Sequence, residues 1–170
     1  GTPRLERQQG EPSRLEVAQS RVLEAVQAMD PKQGVFRVWS FADLPVLRTG
    51  EPRRPGRRVV RELSNQLAAI EPAGGTDLFR ALVAVLGADR DPLQDVVNAN
   101  PEVPDELFLL SDGEPSAGSV RDPEAILAMV RESNRYRRVR IHCILIGDGR
   151  GADLLRAIAE GSSGVFVRGR

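Results

Sequence analysis

The chain has 170 residues, 24 basic and 24 acidic side chains, and no formal net charge. That length suits a single domain, 1–170, with a substantial core, and the neutral balance argues against a bulk electrostatic hold on nucleic acid or on an anionic membrane. One cysteine, Cys143, and one histidine, His142, exclude an internal disulfide framework, a cysteine-clustered zinc site and any paired-histidine metal motif. Hydrophobic residues at 41% and charged residues at 28% are the ordinary balance of a globular protein. No apolar run suits a membrane-spanning helix, and no leading segment has the basic-then-apolar order of a secretory signal. The compartment is left open. Lys32 is the only lysine among the cationic side chains, a bias read as the mark of a GC-rich, bacterial genome rather than of chemistry.

Residues 1–12 are polar, carry Pro3, Gly10 and Pro12 and read as a loop. Ser13 and Glu16 have capping-box spacing, in which each side chain takes the other residue's free backbone N–H. Leu15, Ala18, Val22, Val26 and Met29 then recur at helical intervals, and Asp30-Pro31 ends the helix. Gly34 to Ala42, rich in β-branched and aromatic residues, predicts a strand in which Trp39 is core. Leu44 to Leu47 predicts an edge strand, because Pro45 would cost a central strand a hydrogen bond. Arg48 to Arg58 reads as a loop. Val60, Leu63, Leu67 and Ile70 space a second helix, and Glu71 to Thr76 a sharp turn. A third helix is expected from Asp77 to Leu86. Residues 87–104 read as a long loop of the kind that is functional or mobile.

Leu107 to Leu110 is a continuous apolar run closed by Ser111-Asp112-Gly113, as in a buried parallel strand. Asp122-Pro123 combines an N-cap with proline at the first helical position, opening a helix to Ser133. Val139 to Ile146 predicts another buried strand, placing His142 and Cys143 in the core. A helix over Asp153–Glu160 and a strand over Val165–Val167 follow. Strands alternating with helices predict a mostly parallel α/β sheet covered on both faces, with right-handed crossovers. In such sheets ligands sit outside the carboxyl ends of the strands. Three turns point there: Gly74-Gly75-Thr76-Asp77, Ser111-Asp112-Gly113-Glu114, and Gly147-Asp148-Gly149-Arg150-Gly151.

Several segments carry a family resemblance in order: Ser13 to Ala18, Trp39-Ser40-Phe41, Gly74 to Leu78, Leu109 to Pro115, Ile144 to Gly147, Leu154 to Ala159, and Ser163 to Phe166. Over residues 13–168 the chain resembles a von Willebrand factor type A domain. The resemblance implies a Rossmann-like, doubly wound, mostly parallel sheet with one antiparallel edge strand. It also implies a metal-ion-dependent adhesion site with three parts: an Asp-x-Ser-x-Ser turn after the first strand, a threonine and an aspartate. Thr76 and Asp112 fall on the last two, the candidate metal ligands. A hard ion such as Mg²⁺ (or Mn²⁺ or Ca²⁺), held by hydroxyls and few carboxylates, stays electron-poor and takes a carboxylate from a protein partner.

The sequence departs from that pattern at one place. It has no Asp-x-Ser-x-Ser and no apolar strand before residue 13, so the central first strand is missing and the metal site is incomplete. Either the chain is a fragment, which the start at Gly1 favours, or it is a divergent domain that has lost the site. In the family's strand order the absent strand lies between Val35–Phe41 and Leu107–Leu110, which would leave both with unpaired edges and the chain marginal or aggregation-prone.

The same residues have plainer readings. Thr76 is also placed to cap the helix at Asp77, and Asp112 is also an ordinary turn residue. Asp77 and Glu114 read as structural rather than as ligands, and Ser111 as satisfying backbone at a strand end. Gly147, Gly149 and Gly151 lack the spacing and the acidic residue of a dinucleotide fingerprint. The arginines at 53, 54, 57 and 58 and at 135, 137, 138 and 140 read as solvated surface. They are not interleaved with aromatics, so single-stranded nucleic acid fits poorly. The expectation is therefore a non-enzymatic interaction module that binds a protein partner through Mg²⁺ in the intact domain and weakly or not at all in this chain. Two alternatives stand beside it. One is a small hydrolase or nucleotide-using enzyme with Asp112 as base or metal ligand, although Gly-x-Ser-x-Gly and a P-loop are absent. The other is a metal-independent structural interaction domain.

Overall fold

The computed structural model describes residues 12–71, 74–89, 103–147 and 149–169. Helix α1 (Arg14–Ala28) begins with the expected capping box: the Ser13 amide donates to Glu16 Oε2 at 2.7 Å, and the Glu16 amide donates to Ser13 Oγ at 3.2 Å. Those bonds, the Ser13 amide first, hold the Glu16 carboxyl below the ordinary glutamate range. Helix α2 (Arg57–Ala68) starts three residues before the apolar spacing does, in the stretch read as loop. The two helices bury Val26, Leu63 and Leu67 with Phe36 and Val38 in one apolar cluster.

Strands β1 (Trp39–Phe41) and β2 (Pro45–Leu47) form an antiparallel hairpin, with Trp39 opposite Leu47. The expected strand Gly34–Ala42 is thus much shorter. The Val38 carbonyl still accepts the Arg48 amide at 2.8 Å, but the Val38 amide turns to the Thr49 hydroxyl at 3.1 Å and the regular ladder ends there. Pairing resumes only at Phe36, whose N–H and C=O bond Arg53 at 2.8 and 3.0 Å, inside the segment read as loop. Trp39 is half-buried rather than core.

The second sheet is parallel, in the order β3 (Glu106–Ser111), β4 (Arg140–Ile146), β5 (Phe166–Gly169). Helix α3 (Leu78–Leu86) precedes it, and α4 (Pro123–Arg137) and α5 (Ala152–Gly161) make its crossovers. Helix α4 runs past Ser133 to Arg138, whose left-handed backbone closes it. Side chains alternate along the strands. Leu109, Ile141, Cys143 and Leu145 pack with Leu78, Leu82 and Leu86 of α3, Ile126 and Val130 of α4, and Leu155 and Ile158 of α5. Each such fully buried aliphatic side chain contributes roughly 1.5–3 kcal/mol. Ser162 Oγ ties the layers together, accepting the Ile141 amide at 3.1 Å and donating to the Ile158 carbonyl at 2.9 Å.

The sheet carries its crossover helices on one face and α1 on the other, where the cover is incomplete: Phe108, Val165 and Val167 are 51, 56 and 44% exposed. The reason is that the crossover helices share one core, while α1 reaches only the far end of the other face, where Arg21 lies beside Ile144 and Val167. His142 belongs to that open face and not to the core. It stacks on Phe108, with ring centroids 4.9 Å apart and planes at 16°, and its Nδ1 accepts the Val165 amide at 3.2 Å. Cys143, one residue on, points the other way and is fully buried. Most of the long loop expected over 87–104 lies outside the described residues, as does residue 148. Among the described residues the β1–β2 and β3–β4–β5 sheets share no strand pairing.

Candidate functional site

The turn before α3 is knitted to both sheets. The Asp77 amide donates to the Ala42 carbonyl at the end of β1 at 2.8 Å, and the Gly75 amide donates to Asp43 Oδ1 at 3.0 Å. On the other side, the Thr76 amide donates to Ser116 Oγ at 2.8 Å. The Ser116 and Ala117 amides return bonds to the Thr76 carbonyl at 3.1 and 3.2 Å. Thr76 is therefore held by main-chain bonds to the loop that leaves β3 four residues after Asp112. Its hydroxyl makes no hydrogen bond among the described residues.

Thr76 is not the helix cap. That role falls to Asp77, whose Oδ1 accepts the Arg80 amide at 2.9 Å while the carboxylate, 4% exposed, packs against Gly118. The structural reading of Asp77 holds, and the capping reading moves from Thr76 to its neighbour.

Asp112 follows the last residue of β3, at the carboxyl end of the parallel sheet. Ser111 Oγ accepts the Gly113 amide at 2.9 Å, as expected of a residue that satisfies backbone at a strand end. The Asp112 carbonyl accepts the Gly151 amide at 3.2 Å, and its Oδ1 accepts the Glu114 amide at 3.3 Å. Its Oδ2 lies 3.8 Å from Arg14 Nη1, at the start of α1. Arg150 stands in the same relation to Glu114, also at 3.8 Å. Both pairs are largely exposed and contribute little to stability. In the third turn Gly151 lies against Gly113, and Gly147, with φ +101°, lies beneath the Arg14 guanidinium.

Chemically, Thr76 and Asp112 offer one hydroxyl and one carboxylate. Mg²⁺ demands six oxygens in near-octahedral array, and one face of the carboxylate already meets a cation. Among the described residues no group of three or more His, Cys, Asp or Glu is gathered. Mg²⁺ keeps several waters and uses one or two carboxylates, so Thr76 and Asp112 by themselves are part of a ligand set and not a complete one.

The profile of the von Willebrand factor type A domain family matches residues 8–167. The chain belongs to that family. Solved structures agree at the level of fold. A von Willebrand factor type A protein from Catenulispora acidiphila aligns with 92% of this chain and 34% of its own, at 18% identity and TM-score 0.70. An aerotolerance-related membrane protein from Bacteroides fragilis, carrying multiple mutations to serine, aligns over 94% of this chain and 82% of its own, at 16% identity and TM-score 0.64. The conserved hypothetical protein BatB from Bacteroides thetaiotaomicron aligns over 93 and 80%, at 16% identity and TM-score 0.58. No curated protein matches. The von Willebrand factor type A family is one of protein-interaction modules. No helix among the described residues of this member is long and apolar enough to cross a membrane.

Sequence reasoning missed three residues that build this surface: Asp43, Ser116 and Arg14. Asp43 follows a strand and Ser116 a turn, positions where side-chain acceptors commonly take loop amides, but their partners lie 32 and 40 residues away. Arg14 sits inside the capping motif and was legible only as a helix residue.

Proposed function

We propose that this von Willebrand factor type A domain is a non-enzymatic module that binds a protein partner at the carboxyl end of its parallel sheet, around Thr76 and Asp112. The observation that supports this is the hydrogen-bonded link between the two turns, in which Ser116 joins the Thr76 main chain to the loop leaving Asp112. Two polar turns from different elements are thereby presented together on one surface.

Mg²⁺ (or Mn²⁺ or Ca²⁺) enters this reading as the ion of a complete site, where it would offer a vacant position to a partner's carboxylate. Thr76 and Asp112 would supply part of its oxygen shell, and the remaining ligands would have to come from outside these two turns. In this chain by itself divalent binding is weak or absent. Isothermal titration calorimetry with Mg²⁺ tests the point: no saturable heat at micromolar ion is the expected result, and micromolar binding abolished by Asp112→Asn would reverse it. Partner binding is tested by alanine substitution at Thr76, Asp112 and Glu114 in a complex with a captured partner, with and without chelator. Insensitivity to all three substitutions would move the interaction surface elsewhere.

A further inference from the structure

We infer that Arg14 is a built-in counter-ion of the Asp112 turn, standing where a divalent ion would have to approach this carboxylate and so opposing its binding. The inference rests on the reading of the Asp112 turn as the cation-facing part of the interaction surface.

Three observations place the guanidinium. It extends from the first turn of α1, which the Ser13–Glu16 capping box fixes in position. Its Nη1 is 3.8 Å from Asp112 Oδ2, at the end of β3. It also lies on the backbone of Gly147, at the end of β4: a Cβ added there would come within 2.7 Å of Arg14 Nε and 2.9 Å of Cζ. Arg14 thus spans the carboxyl ends of two adjacent parallel strands, and the absence of a side chain at 147 makes room for it.

The charge logic follows. Asp112 Oδ1 is turned to the Glu114 amide and Oδ2 to the guanidinium. An incoming ion must displace Arg14 from Oδ2 or share that oxygen with a like charge. The pair is partly exposed, with side chains 57 and 35% accessible, so water and salt screen it and the competition is modest.

The test is a Mn²⁺ titration followed by paramagnetic line broadening of backbone amides at low ionic strength. Wild type, Arg14→Gln and Arg14→Gln/Asp112→Asn are compared, together with Gly147→Ala, which crowds the guanidinium without removing its charge. The Asp112 and Gly113 amides should broaden at about threefold lower Mn²⁺ in Arg14→Gln than in wild type. Gly147→Ala should shift the same way, and the double variant should lose the effect. Equal titrations of wild type and Arg14→Gln at the Asp112 amide would overturn the role of Arg14 while leaving the interaction reading in place. Broadening in Arg14→Gln that survives Asp112→Asn would put the ion elsewhere and overturn both the inference and the cation-facing role of this turn. Arg14 is exposed, so its substitution leaves the fold intact, and the dispersion of the amide spectrum verifies that directly.

Discussion

Gly151 lies backbone against backbone on Gly113. A Cβ at Gly151 would stand 2.0 Å from the Gly113 carbonyl carbon, and one at Gly113 would stand 2.6 Å from the Gly151 carbonyl oxygen. The Gly151 amide meanwhile donates to the Asp112 carbonyl at 3.2 Å. The two turns at the ends of β3 and β4 are therefore in direct main-chain contact, and the Asp112 carboxylate is aimed by a joint that no side chain can enter.

Gly151→Ala should accordingly lower stability by about 2–4 kcal/mol, because neither backbone can retreat without breaking the start of α5. Gly113→Ala should cost at least as much, since its φ of +74° adds strain to the clash. Urea unfolding midpoints measure both. A loss below about 0.5 kcal/mol would show that the turns can separate freely.

Thr76 and Asp77 should behave as opposites. Asp77→Ala removes the cap of α3 and the acceptor of the Arg80 amide, at a cost of about 1–2 kcal/mol. Thr76→Ala removes a hydroxyl without a partner among the described residues, so its effect on stability should stay within about 0.5 kcal/mol. Thermal melts of the two variants separate a structural threonine from one held for binding; a large loss at Thr76 would argue for the structural role.

Cys143 supplies a pH dependence. Burial pushes its thiol up to about 12 from an ordinary 9.0, against a smaller opposing effect of the Ala159 backbone. The native state favours the neutral form. That contribution is complete below 9.0, the unfolded value, and is lost as pH rises through the interval toward 12. Wild type should lose stability over that interval faster than Cys143→Ala, as read from urea midpoints. In the native state Ellman's reagent should label Cys143 only as fast as the protein opens. Rapid labelling at neutral pH would contradict its burial.

The β3 edge away from β4 pairs with no strand among the described residues, and the neighbouring sheet face exposes Phe108. Unpaired edges beside apolar surface invite pairing with another chain. The chain should self-associate as its concentration rises in sedimentation velocity, and Phe108→Lys should reduce that association. A concentration-independent monomer with a sharp, reversible thermal transition would refute this.

Some of this architecture is legible from single residues. Ser13 and Glu16 announce the first helix because a capping box is a local exchange of hydrogen bonds. Asp122-Pro123 announces α4 for the same kind of reason. Pro45 marks an edge strand because it lacks an N–H. The turns at Thr76 and Asp112 are visible as polar residues closing apolar segments. What was misread depends on distant partners: the length of β1 hangs on the Thr49 hydroxyl, and the cap of α3 passes to Asp77 because Ala42 and Ser116 fix the turn before it.

The sequence by itself determined the order of the described helices and strands, which is written in local periodicity, and the ordered motif segments carried the resemblance to the family. Tertiary structure alone decided which sheet face is open, that His142 stacks on Phe108 instead of entering the core, and that Arg14 meets Asp112. Those outcomes depend on which surfaces the helices happen to cover and on where two glycines let backbones approach. Arg14 and Asp112 are 98 positions apart in the chain, a separation at which local pattern carries no information.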